Sequence, residues 1–317
     1  MSYLFVRGNE ALTLNPPTGT DIHLTVHGSD WMWAVFAFFG LISLSFLAGS
    51  YYRAAKERLF FYSSILSAFF IAISAYTVAS DLGFTSIQAE FNHEQVSNAI
   101  VVPGLRQIFY SRHVAWFLAF PPIILNFGVY AAVPWPTLLF TLLNVEVWVV
   151  LLLIGALIHS TYKWGYFVFG VVAYLTAAWH LCYSFRKSAV EFGHNTTLTT
   201  TLSVSATTLL MMLYTICWGL TEGGNVISPD SEAVFYGILD ICQFGFVAGY
   251  FLVATRDANF EELGIISPSG PAFHRGEKEA RYSEYSADTH AATVNQDAPL
   301  AAPAPGPMVP ETAAEQV

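Results

Sequence analysis

Three ionisable side chains interrupt long apolar stretches of this 317-residue chain: Arg112, Glu146 and Asp240. Charge in such surroundings is costly and marks function by default. Two chemistries are open to Arg112 and Asp240. They can form a structural ion pair braced by Tyr and Trp, or they can line a proton or ligand path. Glu146, two residues beyond Asn144, reads as a neutral carboxyl hydrogen-bonded inside a helix bundle, because an isolated buried carboxylate is strongly disfavoured. His113 adjoins Arg112, and His159 and His180 lack a partner at the i, i+4 spacing of a helical metal site, so no metal is expected. Cys182, Cys217 and Cys242 all lie in apolar runs and show neither a disulfide framework nor zinc spacing.

The elements that must position these groups follow from composition. The chain is 54% hydrophobic, 16% aromatic and only 11% charged, with a mean hydropathy of +0.49. Soluble domains carry about 25% charge, so an ordinary soluble enzyme and a disordered chain are excluded, and no enzyme activity is expected. A net charge of −10 argues against nucleic acid as a partner. A helix needs roughly 20 mostly apolar residues to cross a bilayer. Seven stretches qualify: 31–50, 59–80, 109–131, 137–158, 164–185, 200–221 and 232–254. The predicted architecture is all-α, a seven-transmembrane-helix bundle embedded in the lipid bilayer. Residues 1–30 form an extracellular segment, 31–255 the transmembrane domain and 256–317 a cytoplasmic, largely disordered tail.

Orientation follows from the loops. Arg53, Lys56 and Arg58, then Arg186 and Lys187, then Arg256 fall on one side. Asp81, Glu90, Glu94, Glu222 and Asp230 fall on the other, with Arg106 and Lys163 as exceptions. The positive-inside rule places the N-terminus outside and the C-terminus in the cytoplasm. The sequon Asn195-Thr196-Thr197 then lies on the cytoplasmic side and is expected to be unused. The longest connection, residues 81–106, holds Gly83, Pro103, Gly104 and a β-prone Ala99-Ile100-Val101-Val102 run, which predicts an extracellular hairpin lid. Beyond about residue 265 the chain is rich in Pro, Ala, Ser, Glu and Gly, too polar to fold. Ser267, Ser269, Ser283 and Ser286 make that tail either a phosphorylation or partner-binding segment or a solvated linker.

Several segments carry a family resemblance. Arg106-Gln107-Ile108-Phe109-Tyr110-Ser111-Arg112, with Trp116 and Pro121, resembles span three of the microbial (type I) rhodopsins, fungal branch. Pro134-Trp135-Pro136-Thr137 and Ser160-Thr161-Tyr162-Lys163-Trp164-Gly165-Tyr166 are similar to the fungal loops flanking span four. The run from Glu222 through Gly223-Gly224-Asn225 and Pro229-Asp230-Ser231-Glu232 to Asp240 is the most specific match. The resemblance covers roughly residues 25–255 and implies a seven-helix bundle of microbial rhodopsin type.

The departures from that family define the expected function. The resemblance implies a retinal-binding lysine four residues after Asp240, where this chain has Phe244. The lysines are Lys56, Lys163, Lys187 and Lys278, none of them within a predicted span, so no covalent retinal is expected. The primary proton acceptor position is Ala115, directly before Trp116. The former proton donor position is Asn126, 14 residues past Arg112 and about 21 Å along a helix. A threonine position is Ala119 and a retinal-flanking Trp position is Met211, whereas Arg112, Trp116, Tyr214, Trp218 and Asp240 are retained. A pump balances two cations with two acids. Here one of each is absent, which leaves Arg112 to pair with Asp240 in a vestigial pocket.

This pattern resembles the lysine-less fungal opsin-related proteins, a group related to small plasma-membrane heat-shock proteins. It implies a non-photochemical, stress-associated accessory or chaperone-like role at the plasma membrane, with the proton-pumping ATPase as partner. Alternatives are a receptor or sensor binding a retinoid, sterol, fatty acid or other lipid non-covalently between Trp116, Tyr214 and Trp218, and a proton or ion transporter using Arg112, Glu146 and Asp240. The family also implies a homo-oligomer, trimer or dimer.

Overall fold

A computed structural model of the chain describes residues 9–55, 58–91, 93 and 104–258. All of them belong to one unit, Met1–Pro271; the second, Ala272–Val317, lies outside the described residues. So do the expected tail beyond residue 265 and the Ala99–Val102 run.

Seven helices are long and apolar enough to cross a membrane: Val26–Tyr51, Leu59–Ala79, Tyr110–Tyr130, Trp135–Ala156, Lys163–Val190, His194–Gly223 and Pro229–Ala254, here spans one to seven. Each packs on the next, and span seven closes the ring against span one. Phe39, Ile71, Phe120, Trp148, Met211 and Phe244 fill the interior, while Leu44, Phe69, Leu143, Phe169, Leu202 and Phe246 stand exposed on the outside. A helix apolar all round suits a bundle whose outer face meets lipid rather than water.

The ends differ from the hydropathy reading. Span one starts at Val26 rather than 31, because Thr25 caps it by accepting the His27 N–H at 3.3 Å, so His27 and Asp30 are helical. Span six starts at His194 rather than 200. Its threonine-rich first turns stay helical because a hydroxyl can bond a carbonyl one turn back, as Thr197 Oγ1 does to Gly193 O at 2.8 Å. Span seven opens on Ser228, whose hydroxyl accepts the Ser231 N–H at 3.3 Å, then Pro229, with Asp230 and Glu232 in the first turn.

Spans five, six and seven each contain a π-helical segment: His180–Phe185, Gly219–Gly223 and Ile241–Val247. Such widened turns concentrate at functional sites, and the last one carries Phe244.

The end of the bundle where spans three and seven begin, the outer end in the orientation read from the loops, is covered by a hairpin. Strand β1 (Thr85–Gln88) pairs antiparallel with β2 (Leu105–Ile108), Thr85 opposite Ile108 and Gln88 opposite Leu105. The hairpin is where the 81–106 connection predicted one, but its strands flank the β-prone run instead of containing it. Gly83 makes the entry possible. Its φ is +68°, and a Cβ there would lie 2.7 Å from Ser111 Cβ. The N-terminal segment joins this cap, as Asp21 and Ile22 donate their N–H groups to Leu105 O at 2.9 and 3.0 Å. Thr25 N and Oγ1 donate to the Asp230 carboxylate at 2.8 and 2.5 Å, tying the start of span one to the start of span seven.

Candidate functional site

Below the hairpin lies a buried network of charge. Glu232, on the first turn of span seven, is shared by two arginines: Arg112 Nη1 on Oε1 at 2.6 Å and Arg106 Nη2 on Oε2 at 2.8 Å. Arg106 comes from β2 and also donates Nη1 to Asn225 Oδ1 at 2.6 Å and Ile227 O at 2.9 Å. The Arg112 guanidinium sits 4.6 Å over the Tyr236 ring, a cation–π contact. Tyr236 donates its hydroxyl to Glu222 Oε2 at 3.0 Å, and Thr221 Oγ1 donates to the same oxygen. Lys163 Nζ reaches the Glu222 carbonyl oxygen at 3.1 Å. The guanidiniums of Arg106 and Arg112 and the carboxylate of Glu232 are each at most 2% exposed, so none of these charges is met by bulk water.

Asp240 lies deeper and belongs to a different layer. Its Oδ1 accepts Trp116 Nε1 at 2.9 Å and Tyr214 OH at 2.6 Å. No ion pair joins it to Arg112 among the described residues, which corrects the pairing expected from the sequence. The reason is depth. Arg112 and Glu232 both sit on the first turn of their spans, whereas Asp240 is eight residues further along, roughly 12 Å at the helical rise. Trp116, one turn below Arg112, reaches Asp240 with its long indole side chain. The neutrality argument changes accordingly: Arg106 and Arg112 are both balanced on Glu232 in the upper layer, and Asp240 is held by hydrogen bonds instead.

The third layer occupies the position where the resemblance implies retinal. Phe244 is fully buried, its ring 5.0 Å from that of Phe120. Phe120 in turn meets Trp148 at 5.5 Å and Tyr214 at 5.9 Å, all edge-on. Met211 is also fully buried. Ala115 and Ala119 line span three without a titratable atom, at 6% and 0% exposure. Trp218 donates Nε1 to Leu152 O at 2.9 Å and stacks on Phe167 at 5.2 Å, so it packs between spans four, five and six. Asn126, nearer the other end, accepts Ser63 Oγ at 2.5 Å and donates Nδ2 to Phe60 O and Ser64 Oγ, both at 3.3 Å. That amide clamps span three to span two.

The structure therefore gathers Arg112, Trp116, Tyr214 and Asp240 along one stack bridged by Tyr236, whose ring lies 4.9 Å from Trp116. It leaves Glu146 apart. Both Glu146 oxygens are buried with no hydrogen-bond partner among the described residues, against the expectation of a bonded carboxyl. Its neighbour Asn144 is spent on Phe140 O at 2.8 Å. The statement that no lysine lies within a span also needs correction. Span five runs from Lys163 to Val190, longer than 164–185 at both ends, and so includes Lys163 and Lys187. Lys163 is tied to Glu222 at one end of that helix and Lys187 is exposed at the other.

Arg106, Glu222, Glu232 and Tyr236 were read from the sequence as loop or motif residues, not as site residues. Matching depth from the span ends pairs Arg112 with Glu232, and that is the signal that finds them. At the rim, Asp81 accepts Gln107 Nε2 at 2.6 Å. Burial pushes its carboxyl above the ordinary aspartate range, against the lowering effects of Gln107 and His23.

A seven-helix ring with an Arg–acid network above a Trp–Tyr–Asp triad defines a rhodopsin-type bundle. The chain belongs to the bacteriorhodopsin-like family, whose model matches residues 27–255, and it is a fungal opsin-related protein. It is 43% identical over 279 residues to the 30 kDa heat shock protein of Saccharomyces cerevisiae, covering 82% of each chain. It is 38% identical over 281 residues to the opsin-like protein carO of Fusarium fujikuroi, covering 85% of this chain and 91% of that one. The fold matches a light-driven proton pump from Leptosphaeria maculans with a TM-score of 0.68 at 23% identity, over 74% of this chain and 98% of the pump.

Proposed function

We propose that this chain is a non-photochemical opsin-related protein of the plasma membrane, with a stress-associated accessory or chaperone-like role exerted on the proton-pumping ATPase. The observation that carries the first half is Phe244. It stands four residues after Asp240, where the resemblance implies the retinal lysine, and its buried ring packs on Phe120. With Ala115 and Asn126 at the acceptor and donor positions, neither can take up or release a proton by titrating. The stress role rests on similarity to the 30 kDa heat shock protein. In this reading the N-terminus is outside, the C-terminus is cytoplasmic, and no retinal is held covalently.

Two measurements test it. Purified protein mixed with all-trans retinal should develop no red-shifted visible band, and a borohydride-stable covalent adduct would overturn the non-photochemical reading. Cells lacking the protein should show altered plasma-membrane ATPase activity after heat shock. Unchanged activity would remove the ATPase from the proposal, and a saturable shift of added retinoid or sterol fluorescence would favour a non-covalent receptor instead.

A further inference from the structure

At the end of the bundle opposite the hairpin, a groove of about 610 Å³ runs between spans one and seven. Its walls are apolar, including Ile42, Phe46, Phe246 and Val253, and Gly49, Gly245 and Gly249 lie along it. Two arginines stand at its mouth, Arg53 and Arg256. Each follows the last residue of its span by two positions, Tyr51 and Ala254 respectively. Spans one and seven run the same way, so both guanidiniums emerge at one depth, the level of lipid headgroups. From Ile42 to Arg53 is roughly 16 Å at the helical rise, about half of the ~30 Å hydrocarbon core. The groove therefore has the depth of one leaflet.

The geometry points to a resident anionic phospholipid, with an acyl chain along the glycine-bearing groove and the phosphate between Arg53 and Arg256. Charge complementarity selects this occupant over a zwitterionic lipid or a partner helix. Two cations at the mouth of an apolar slot match one chain bearing a net negative head, and basic residues at the membrane surface attract such heads. The charges are available. Arg53 makes no ion pair among the described residues, and its backbone carbonyl accepts Arg58 Nε at 3.0 Å. Arg256 Nε is 3.0 Å from Asp257 Oδ2, but both side chains are largely exposed, at 65% and 84%, and an exposed pair is weak and yields to a competing phosphate. A Cβ on Gly249 would find its nearest neighbour, the Phe46 ring, at 3.9 Å. The glycine thus leaves open space in the groove and is not demanded by helix packing.

The test uses the full-length protein, purified, stripped of lipid and offered equal amounts of phosphatidylserine and phosphatidylcholine with identical acyl chains, with retention read by native mass spectrometry. The wild type should keep one phosphatidylserine, preferred by roughly fivefold for each arginine engaged. Arg53→Gln with Arg256→Gln, both at the surface, should bring the preference close to unity without changing the melting temperature in phosphatidylcholine. Gly249→Leu, which fills the groove and keeps both arginines, should reduce retention of both lipids. Soluble glycerophosphoserine, the head without chains, should not compete. Equal retention of the two lipids by the wild type would overturn the proposal, as would an undiminished preference in the double arginine variant. Full competition by the chain-free headgroup would replace the lipid site with a simple phosphate site.

Discussion

Glu232 is the side chain on which the buried charge depends, and replacing it by glutamine is the most informative perturbation. The carboxylate holds Arg112 and Arg106 at 2.6 and 2.8 Å. Removing one partner of a buried ion pair costs about 3–5 kcal/mol, because the remaining charge is left uncompensated. Glu232→Gln strands two guanidiniums, although Arg106 retains Asn225 and Ile227. Among the described residues Arg112 retains the Tyr236 and Phe109 ring faces but no hydrogen-bonded acid, so most of the cost passes through Arg112. Arg112→Gln alone should cost less, since Glu232 keeps Arg106. The double variant should recover at least about 1 kcal/mol relative to additivity, within the range of contacting pairs. Asp240→Asn is the control. Its Oδ1 can still accept from Trp116 and Tyr214, so the loss should stay near 1 kcal/mol and be additive with Arg112→Gln. Equilibrium unfolding in mixed micelles measures the three single variants and the two doubles with Arg112→Gln. If Asp240→Asn matched Glu232→Gln in cost and coupled to Arg112→Gln, the layered assignment would be wrong.

Other consequences are open to direct measurement. Phe244→Ala should destabilise the bundle by about 3–5 kcal/mol, because the ring is fully buried against Phe120; a loss under 1 kcal/mol would mean the interior collapses freely. Phe244→Lys should give no light-driven proton transport in liposomes, since Ala115 and Asn126 supply neither acceptor nor donor, and vectorial pumping by that variant would contradict this. Asn126→Leu should cost about 1–3 kcal/mol by leaving Ser64 without its amide partner, while Ser63 keeps Leu59 O and Phe60 O, read as a lowered melting temperature. Asp81, with its carboxyl raised above 3.8, binds a proton more tightly folded than unfolded. Stability should therefore fall as pH rises through the window above that value. Asp81→Asn should remove this slope and tolerate the site's φ of +56°, as asparagine adopts left-handed backbone readily; an unchanged pH profile would exclude Asp81 as its source.

The seven spans were legible because lipid imposes a length and a composition that few other structures share. Their ends were less so. Val26, His194 and Val190 lie beyond the apolar windows, where caps and threonine hydroxyls hold helix that hydropathy does not register. The hairpin was legible as a connection too long for a tight turn, but the N-terminal segment also bonds to Leu105–Ile108, through Asp21 and Ile22, a contact no local propensity encodes. Phe244, Ala115, Asn126 and Met211 are buried as their apolar runs implied. The partner of Arg112 was missed, because Asp240 was paired with it by residue type without counting depth from the span ends, and Glu232 looked like a helix-start acid. Lys163 was missed for the same reason: one residue of helix separates a loop lysine from a buried one.

The Thr25–Asp230 contact has a consequence for how the molecule is made. The two residues are 205 positions apart, so the first helix emerges and inserts long before its capping partner has been synthesised. Until the last helix is in place, the segment that crosses the hairpin cannot complete its hydrogen bonds, and any chain cut short before residue 230 is left with an open ring. Synthesis of the last helix and closure of the ring are thus coupled, and a quality-control factor that recognised an unclosed first helix would register every copy cut short before that helix.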